Sequence, residues 1–180
     1  MSPVPRLDPG RAAVLVIDLQ ERFAPAIEGW EEIVRRAAVL LEGATLIGVP
    51  VMATEQYPKG LGPTVEPIVE VLGGVVPIEK ACFDATDAPG FGLEGRDQVV
   101  LCGVETHVCV LQSALSLLDG EIEVFLALDA TGSRNDRDRD AAIRRMLGAG
   151  VIPTTAETVG FELLGTAEAP NFRAFQELVR

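Results

Sequence analysis

Residues 99–110 read VVLCGVETHVCV, and this segment sets the fold class of the chain. Its first four residues are apolar without polar alternation, which is typical of a strand buried on both faces of a parallel sheet. A GVET turn follows, and apolar residues then recur at helical spacing over 107–118. A buried strand that runs through a turn into a helix is the repeating unit of a parallel α/β sheet.

The same alternation of short apolar runs and longer helical patterns extends along the whole chain. Five further runs are predicted as strands, at 12–17, 49–54, 75–78, 122–128 and 151–154. Helices are also predicted at 31–47 and 136–147, with stop signals at Gly120 and Gly148, and loops at 60–63 and 87–95. The pattern predicts a doubly wound α/β fold, and the length of 180 residues predicts a single domain over 1–180.

Charge and composition exclude several classes of partner. The chain has 15 Lys plus Arg against 27 Asp plus Glu, a formal net charge of −12, so we expect it to bind neither nucleic acid nor an anionic membrane. We find no apolar stretch of membrane-spanning length and no signal-peptide core in residues 1–10. Three cysteines cannot build a disulfide framework, so we expect reduced thiols and a cytoplasmic protein. A single histidine and the lack of a Cys-x-x-Cys pair argue against a structural zinc site.

Three reactive side chains stand at the ends of different predicted strands. Asp18 follows the first run, Lys80 the third, and Cys109 lies just inside the helix after the fourth. In an open α/β sheet the ligand crevice lies beyond the carboxyl ends of the strands. A thiolate is a nucleophile whose pKa a helix N-terminus lowers, and a carboxylate can take the thiol proton and later pass it to a leaving group. A lysine between them can hold the thiolate, orient the carboxylate, or do both.

Each of these residues also has a structural interpretation. Asp18 could cap the next helix, and Cys109, like Cys82 and Cys102, could belong to the core, since cysteine is often buried. Lys80 is more informative, because the chain has 13 arginines but only two lysines. A lysine beside a buried run indicates a site that needs a compact charge rather than a planar one.

The single histidine is not predicted to form a Cys–His dyad. His107 and Cys109 are two residues apart, and residues at i and i+2 of a helix do not face each other. The base must then be a carboxylate or the lysine. We predict that His107 lies at the start of the helix, near the rim of the pocket.

Four motifs in this order resemble the isochorismatase-like cysteine hydrolases. They are VIDLQ at 16–20, EQYPKGLG at 55–62, EKACF at 79–83 and LCGVETHVCV at 101–110. The resemblance runs from about residue 13 to the C-terminal helix. The EQYPKGLG segment is most similar to the branch of isochorismatase-domain-containing hydrolases.

The resemblance implies a three-layer α/β/α, Rossmann-like fold with a six-stranded parallel sheet. It places Asp18, Lys80 and Cys109 on the positions of the family's catalytic triad. It also implies a cis peptide bond between Val104 and Glu105. The backbone N–H groups of Glu105 and Cys109 would then form the oxyanion hole.

The resemblance also guides what the pocket is expected to contain. Phe23 matches an aromatic of the family's substrate pocket, although it can equally be a core residue, and Gln56, Tyr57 and Phe83 are further candidates for substrate binding. Family nicotinamidases carry metal-binding histidines after the second strand, whereas residues 55–59 read EQYPK. No metal and no organic cofactor are therefore implied. True isochorismatases lack the nucleophilic cysteine, so vinyl-ether hydrolysis is not expected either.

These inferences predict a cysteine hydrolase that cleaves a small-molecule amide or related C–N bond through a thioester on Cys109. Two alternatives on the same fold stay open. One is an interaction protein whose chemistry is vestigial, and the other is a redox sensor that uses the same reactive thiol. Because members of this family commonly associate, the resemblance also implies a homo-oligomer, a dimer or a tetramer.

Overall fold

The computed structural model describes residues 4–180, and a six-stranded parallel sheet forms the centre of this part of the chain. The strands are β1 (Ala12–Ile17), β2 (Val51–Gln56), β3 (Ile78–Lys80), β4 (Gln98–Val104), β5 (Glu123–Gly132) and β6 (Ile152–Thr154). Their order is β3-β2-β1-β4-β5-β6, which confirms the predicted doubly wound sheet. The order reverses between β1 and β4, so a ligand crevice is expected beside the ends of these two strands.

Helices cover both faces of the sheet. Within residues 4–180 they are α1 (Trp30–Ile47), α2 (Pro58–Leu61), α3 (Glu66–Leu72), α4 (Leu111–Asp119), α5 (Asp136–Ala149), α6 (Ala156–Leu164) and α7 (Phe172–Leu178). Val14 and Val16 of β1 pack with α1 and α6, whereas Leu15 and Ile17 pack with α4 and α5. The fold therefore has the predicted three layers. Among the described residues, no helix is long and apolar enough to cross a membrane.

The strand predicted at 75–78 is wrong in position, because β3 begins only at Ile78. Gly73 and Gly74 both have positive φ, 59° and 99°, so the chain is still turning there. Val76 is 82% exposed rather than part of the core. Ile78 is the first residue to pair with β2, opposite Thr54, and this register makes Lys80 the last residue of the strand.

Two predicted boundaries near glycines also differ from the structure. Helix α5 does not stop at Gly148 but continues to Ala149, and it ends where Gly150 takes a left-handed conformation, φ 115°. The N–H of Val151 then donates to the carbonyl of Met146 at 3.0 Å, which closes the helix in a common glycine-dependent cap. The predicted loop at 60–63 is partly helical, because α2 extends into it.

Gly103 allows β4 to approach β1 very closely near the carboxyl ends of both strands. A Cβ atom at this position would lie 2.0 Å from the carbonyl oxygen of Ile17, and φ of Gly103 is 109°. Only glycine tolerates both conditions. The close approach places Asp18, which follows β1, beside the turn that follows β4.

Candidate active site

Asp18 follows β1 directly and is fully buried. Its backbone is in the left-handed region, φ 53°, where aspartate is one of the few tolerated residues besides glycine. Oδ1 accepts the hydroxyl of Thr54 and Oδ2 accepts the ammonium of Lys80, both at 2.7 Å. The next helical turn begins at Glu21, with Gln20 in the capping position, so the helix-cap interpretation of Asp18 is wrong.

Lys80 is the last residue of β3, and its side chain is fully buried. The ammonium donates to Oδ2 of Asp18 and to Oε1 of Gln56, both at 2.7 Å, and lies 3.4 Å from the carbonyl oxygens of Cys82 and Phe83. A buried ion pair is tolerated only when the remaining hydrogen-bonding positions of both ions are filled. Here they are filled, and the structure brings together the lysine and the aspartate that the strand ends indicated.

Cys109 lies in a π-helical turn, Thr106–Val110, between β4 and α4. The helix predicted after β4 therefore begins with a wider turn than a regular α-helix, a feature often found at functional sites. Val108 and Val110 are the residues on either side of Cys109. Their N–H groups donate to the carbonyl of Glu105, at 3.0 and 3.3 Å. Cys109 is only 5% exposed, so its thiol faces the protein interior.

The turn that carries Cys109 is tied to the segment after β5. The peptide bond that precedes Glu105 is cis, as the resemblance implies. Glu105 is buried, and its Oε1 accepts the backbone N–H and the Nε of Arg134, at 3.1 and 2.9 Å. His107 is half-buried at the start of the turn, and its Nδ1 lies 3.0 Å from the hydroxyl oxygen of Ser133. The histidine thus pairs with a serine rather than with the cysteine.

Burial and the nearby Asp18 carboxylate raise the pKa of the Cys109 thiol to about 12, and the Lys80 ammonium opposes them only in part. The expectation that a helix N-terminus lowers this pKa is wrong, because the cost of a buried thiolate beside a carboxylate outweighs that effect. Cys109 is therefore a neutral thiol near neutral pH. The charges that act on this thiol are the carboxylate of Asp18 and the ammonium of Lys80.

The raised pKa predicts how alkylation of Cys109 by iodoacetamide depends on pH. Below a pKa of about 12 the reactive thiolate fraction grows about tenfold per pH unit, so we expect the rate to climb steadily between about pH 7 and about pH 10. Peptide mass mapping at each pH measures the rate, with Cys109→Ser as the blank. A rate that levels off by about pH 10 would instead show a thiol of ordinary or lowered pKa.

The four residues predicted for the substrate pocket have different surroundings. Phe23 is half-buried and packs against the core on the α1 side of the sheet. Gln56 is buried, its Oε1 accepts from Lys80 and its Nε2 donates to a backbone carbonyl at 2.9 Å, so both ends of its amide are already paired. Tyr57 and Phe83 are 59% and 52% exposed and lie at the surface beyond β2 and β3.

A groove of about 450 Å³ lies near the end of β3, with Tyr57, Lys59 and Cys82 among its lining residues. It also touches Lys80, but the side chain of this residue is fully buried, so the ammonium does not open into the groove. Cys82 is half-buried, so its prediction as a core residue is wrong. Cys102 is fully buried on β4, as predicted.

Two buried residues near the site were missed by the sequence analysis. Thr54 hydrogen-bonds Asp18 and ends one of the predicted runs, so the strand-end rule could have found it. Ser113 is fully buried on α4 and donates to the carbonyl of Cys109 at 2.7 Å. A serine four residues after Cys109, in a mostly apolar helix, is the signal for it.

Both oxygens of the Asp18 carboxylate accept hydrogen bonds from protein side chains, Thr54 and Lys80. Within residues 4–180, no group of three or more histidine, cysteine, aspartate or glutamate side chains could hold a metal ion.

The six-stranded parallel sheet covered by helices on both faces is the α/β fold that the sequence resemblance implies. The isochorismatase domain model matches residues 12–158, and the chain belongs to this family. It is 40% identical to isochorismatase domain-containing protein 2 of Homo sapiens over an alignment that covers 97% of this chain and 86% of that protein.

Solved structures of similar proteins share the fold. MAR1 ribonuclease from Caenorhabditis elegans is 38% identical, with a TM-score of 0.93 over 97% of this chain and 92% of that one. The YcaC gene product of Escherichia coli, described as an octameric hydrolase of unknown specificity, is 27% identical, with a TM-score of 0.87 over 99% and 91% of the two chains. YcaC from Pseudomonas aeruginosa, solved with hexane-2,5-diol and covalent acrylamide, is 27% identical, with a TM-score of 0.85 over 99% and 98%.

Proposed function

We propose that this protein is a cysteine hydrolase that cleaves an amide or related C–N bond of a small molecule, with Asp18, Lys80 and Cys109 as its catalytic triad. The observation that carries the proposal is the buried pair of Asp18 and Lys80, whose atoms lie 2.7 Å apart and whose charges both act on the Cys109 thiol. A thiol with a carboxylate base beside it is the arrangement that nucleophilic acyl transfer requires.

In the first half of the reaction, Cys109 becomes acylated. The thiol proton moves to the carboxylate of Asp18 while the sulfur attacks the carbonyl carbon of the substrate. The oxygen of the tetrahedral intermediate gains a negative charge, which the backbone N–H groups of Glu105 and Cys109 stabilise as an oxyanion hole. The protonated Asp18 then gives its proton to the departing nitrogen, the C–N bond breaks, and a thioester remains on the cysteine.

In the second half, water releases the acyl group. Asp18, now ionised again, takes a proton from a water molecule that attacks the thioester carbonyl. The C–S bond breaks, the acid product leaves, and the sulfur regains its proton from Asp18. Lys80 stays charged throughout, and its fixed ammonium stabilises the negative charge as it passes between sulfur and carboxylate. Apart from the attacking water molecule, these steps use only side chains and backbone groups of this chain.

A small neutral carboxamide is the substrate class that the site favours. Asp18 and Lys80 are fully buried and Cys109 is nearly so, which leaves little space for a bulky group at the thiol. Acrylamide, a small carboxamide, is covalently bound in the YcaC structure from Pseudomonas aeruginosa. Acrylamide alkylates nucleophiles through its C=C bond, so this observation on a relative supports a reactive nucleophile that such a small molecule can reach, and not cleavage of the amide itself.

RNA is the alternative substrate that one relative suggests, since the Caenorhabditis elegans structure is described as a ribonuclease. The formal net charge of −12 opposes it, because a chain this acidic repels a phosphate backbone. The burial of Cys109 opposes it as well, since a polynucleotide needs an open surface. We therefore retain the small-molecule hydrolase.

Isochorismate hydrolysis, an interaction role and a redox role also fit less well. The nucleophilic cysteine that true isochorismatases lack is present in this chain. A vestigial site would have no reason to keep the Asp18–Lys80 ion pair beside Cys109. A redox sensor needs an exposed thiolate, whereas the raised pKa and the burial of Cys109 both disfavour oxidation.

We further propose that the protein acts as a homo-oligomer in the cytoplasm. The octameric state of the Escherichia coli relative supports assembly. Exposed apolar side chains such as Tyr57, Val76 and Phe83 provide surface that association could bury. All three cysteines are free, which suits a reducing compartment.

The test of this function is to trap the acyl-enzyme. The protein is incubated with a panel of small amides, and intact-mass measurement with peptide mapping locates any adduct. We expect a single acyl group on Cys109 for at least one amide, and no adduct at Cys82. Cleavage of a mixed-sequence RNA that depends on Cys109, with no adduct from any amide, would contradict the proposal.

A further inference from the structure

Ser113 joins the cysteine turn to a second segment of the chain. Its side chain is fully buried, its hydroxyl donates to the carbonyl of Cys109 at 2.7 Å, and its oxygen accepts the N–H of Ala85 at 2.8 Å. A serine in a helix commonly bonds the carbonyl four residues earlier. The bond to Ala85 is different, because it reaches 28 residues away in sequence.

The segment that contains Ala85 also surrounds the ammonium of Lys80. The carbonyl oxygens of Cys82 and Phe83 lie 3.4 Å from Nζ of Lys80. Asp84 follows, and its carboxylate accepts the backbone N–H of Thr86 at 2.8 Å, which caps the short helical turn at 85–87. The position of this segment is therefore linked to the position of the lysine.

A second serine of α4 binds the same segment without touching the cysteine. Ser116 donates to Oδ2 of Asp84. Ser113 and Ser116 are three residues apart, so they lie on the same face of the helix. The helix thus holds the lysine segment at two points, and only the bond from Ser113 also reaches Cys109.

We propose that Ser113 is a positioning residue that sets the placement of the Cys109 thiol against the Asp18–Lys80 pair. The inference rests on the proposed role of Cys109 as the nucleophile. The Ser113 hydroxyl bonds both the turn that carries Cys109 and the segment 82–87 that surrounds Lys80. It therefore fixes the distance between these two parts of the chain, which β3 and β4 alone do not determine. A misplacement of about 1 Å in an active site can cost about 10² in rate.

The test compares Ser113→Ala with Ser116→Ala, using p-nitrophenyl acetate as the acylating probe. Release of p-nitrophenolate gives the acylation rate constant and the apparent affinity, and mass mapping confirms acetylation of Cys109. We expect Ser113→Ala to slow acylation by about tenfold or more with an unchanged affinity. Ser116→Ala should stay within about twofold of the wild-type rate. Ser113→Ala should lower Tm more than Ser116→Ala does, because it removes two buried hydrogen bonds rather than one, so the rates are compared at a temperature where both variants are folded.

The outcomes separate this inference from the proposed function. If Cys109 of the wild-type protein is acetylated and the two serine variants react equally fast, the positioning role is overturned and the nucleophile stands. A Ser113→Ala variant whose loss lies in affinity rather than in the rate constant overturns it as well. If Cys109 is not acetylated, or Cys109→Ala reacts as fast as wild type, both proposals are wrong.

Discussion

Cys109→Ala is expected to abolish hydrolysis and thioester formation while the fold stays intact. The sulfur is the only atom of the site that forms the covalent bond in the proposed mechanism, so its loss removes the main route and not one contribution to it. Removal of a catalytic nucleophile typically lowers kcat by several orders of magnitude, about 10³ or more. The measurements are kcat/KM on an amide that acylates the wild-type protein and intact mass after incubation with it.

The same variant should fold normally for a physical reason. The thiol is small, so alanine leaves only a small cavity, and the neutral sulfur contributes little besides packing. A matched control is Cys102→Ala. Cys102 is also buried, but it lies in β4 and packs on the other face of the sheet from Cys109. We expect both variants to have similar Tm values and only Cys109→Ala to lose activity. Activity of Cys109→Ala above about a tenth of wild type would require another nucleophile.

The candidate site residues could be proposed from the sequence because the geometry of a parallel sheet is so regular. Strands that run in one direction end at one edge, so the residues after each run meet there. Asp18, Lys80 and Cys109 obey this rule, and the structure shows the first two in direct contact. Thr54 obeys it too, and it was missed because a threonine carries no obvious chemistry.

The environment of each side chain could not be predicted in the same way. The pKa of Cys109 depends on its burial and on the nearness of Asp18, and both arise only when distant segments pack. The role of Gln56 likewise depends on which side-chain oxygen of the neighbouring strand β2 accepts the Lys80 ammonium. The predicted start of β3 was wrong for a local reason. Gly73 and Gly74 turn the chain, although the valines that follow them are apolar.

Lys80→Arg is expected to lower kcat/KM by about 10²–10³ although it keeps the positive charge, which is the scale of losing a preorganised electrostatic element. Nζ of Lys80 donates to Asp18 and to Gln56 at 2.7 Å in two separate directions. A guanidinium is planar and prefers a two-pronged bond to a single carboxylate. We expect it to occupy both oxygens of Asp18, in competition with Thr54, and to make this carboxylate a poorer acceptor of the thiol proton.

Crowding around the larger arginine side chain should increase the loss of kcat/KM in Lys80→Arg. The Lys80 side chain is fully buried, so a longer group forces its neighbours apart, at a cost of about 1–3 kcal/mol. Thermal unfolding is therefore measured beside kcat/KM, and the rate loss is assigned to the site only if the variant is folded at the assay temperature. Acylation of Cys109 in the variant then shows whether proton transfer is the affected step.

The matched control is Lys59→Arg, which changes the other lysine of the chain, an exposed residue of α2. An arginine there should be nearly neutral, because an exposed cation needs no particular shape. A lysine that merely extended its charge to the surface would behave the same way, but the buried ammonium of Lys80 has no such freedom. If both variants stay within about threefold of wild type, Lys80 is not part of the catalytic group, and the base must act on Cys109 without it.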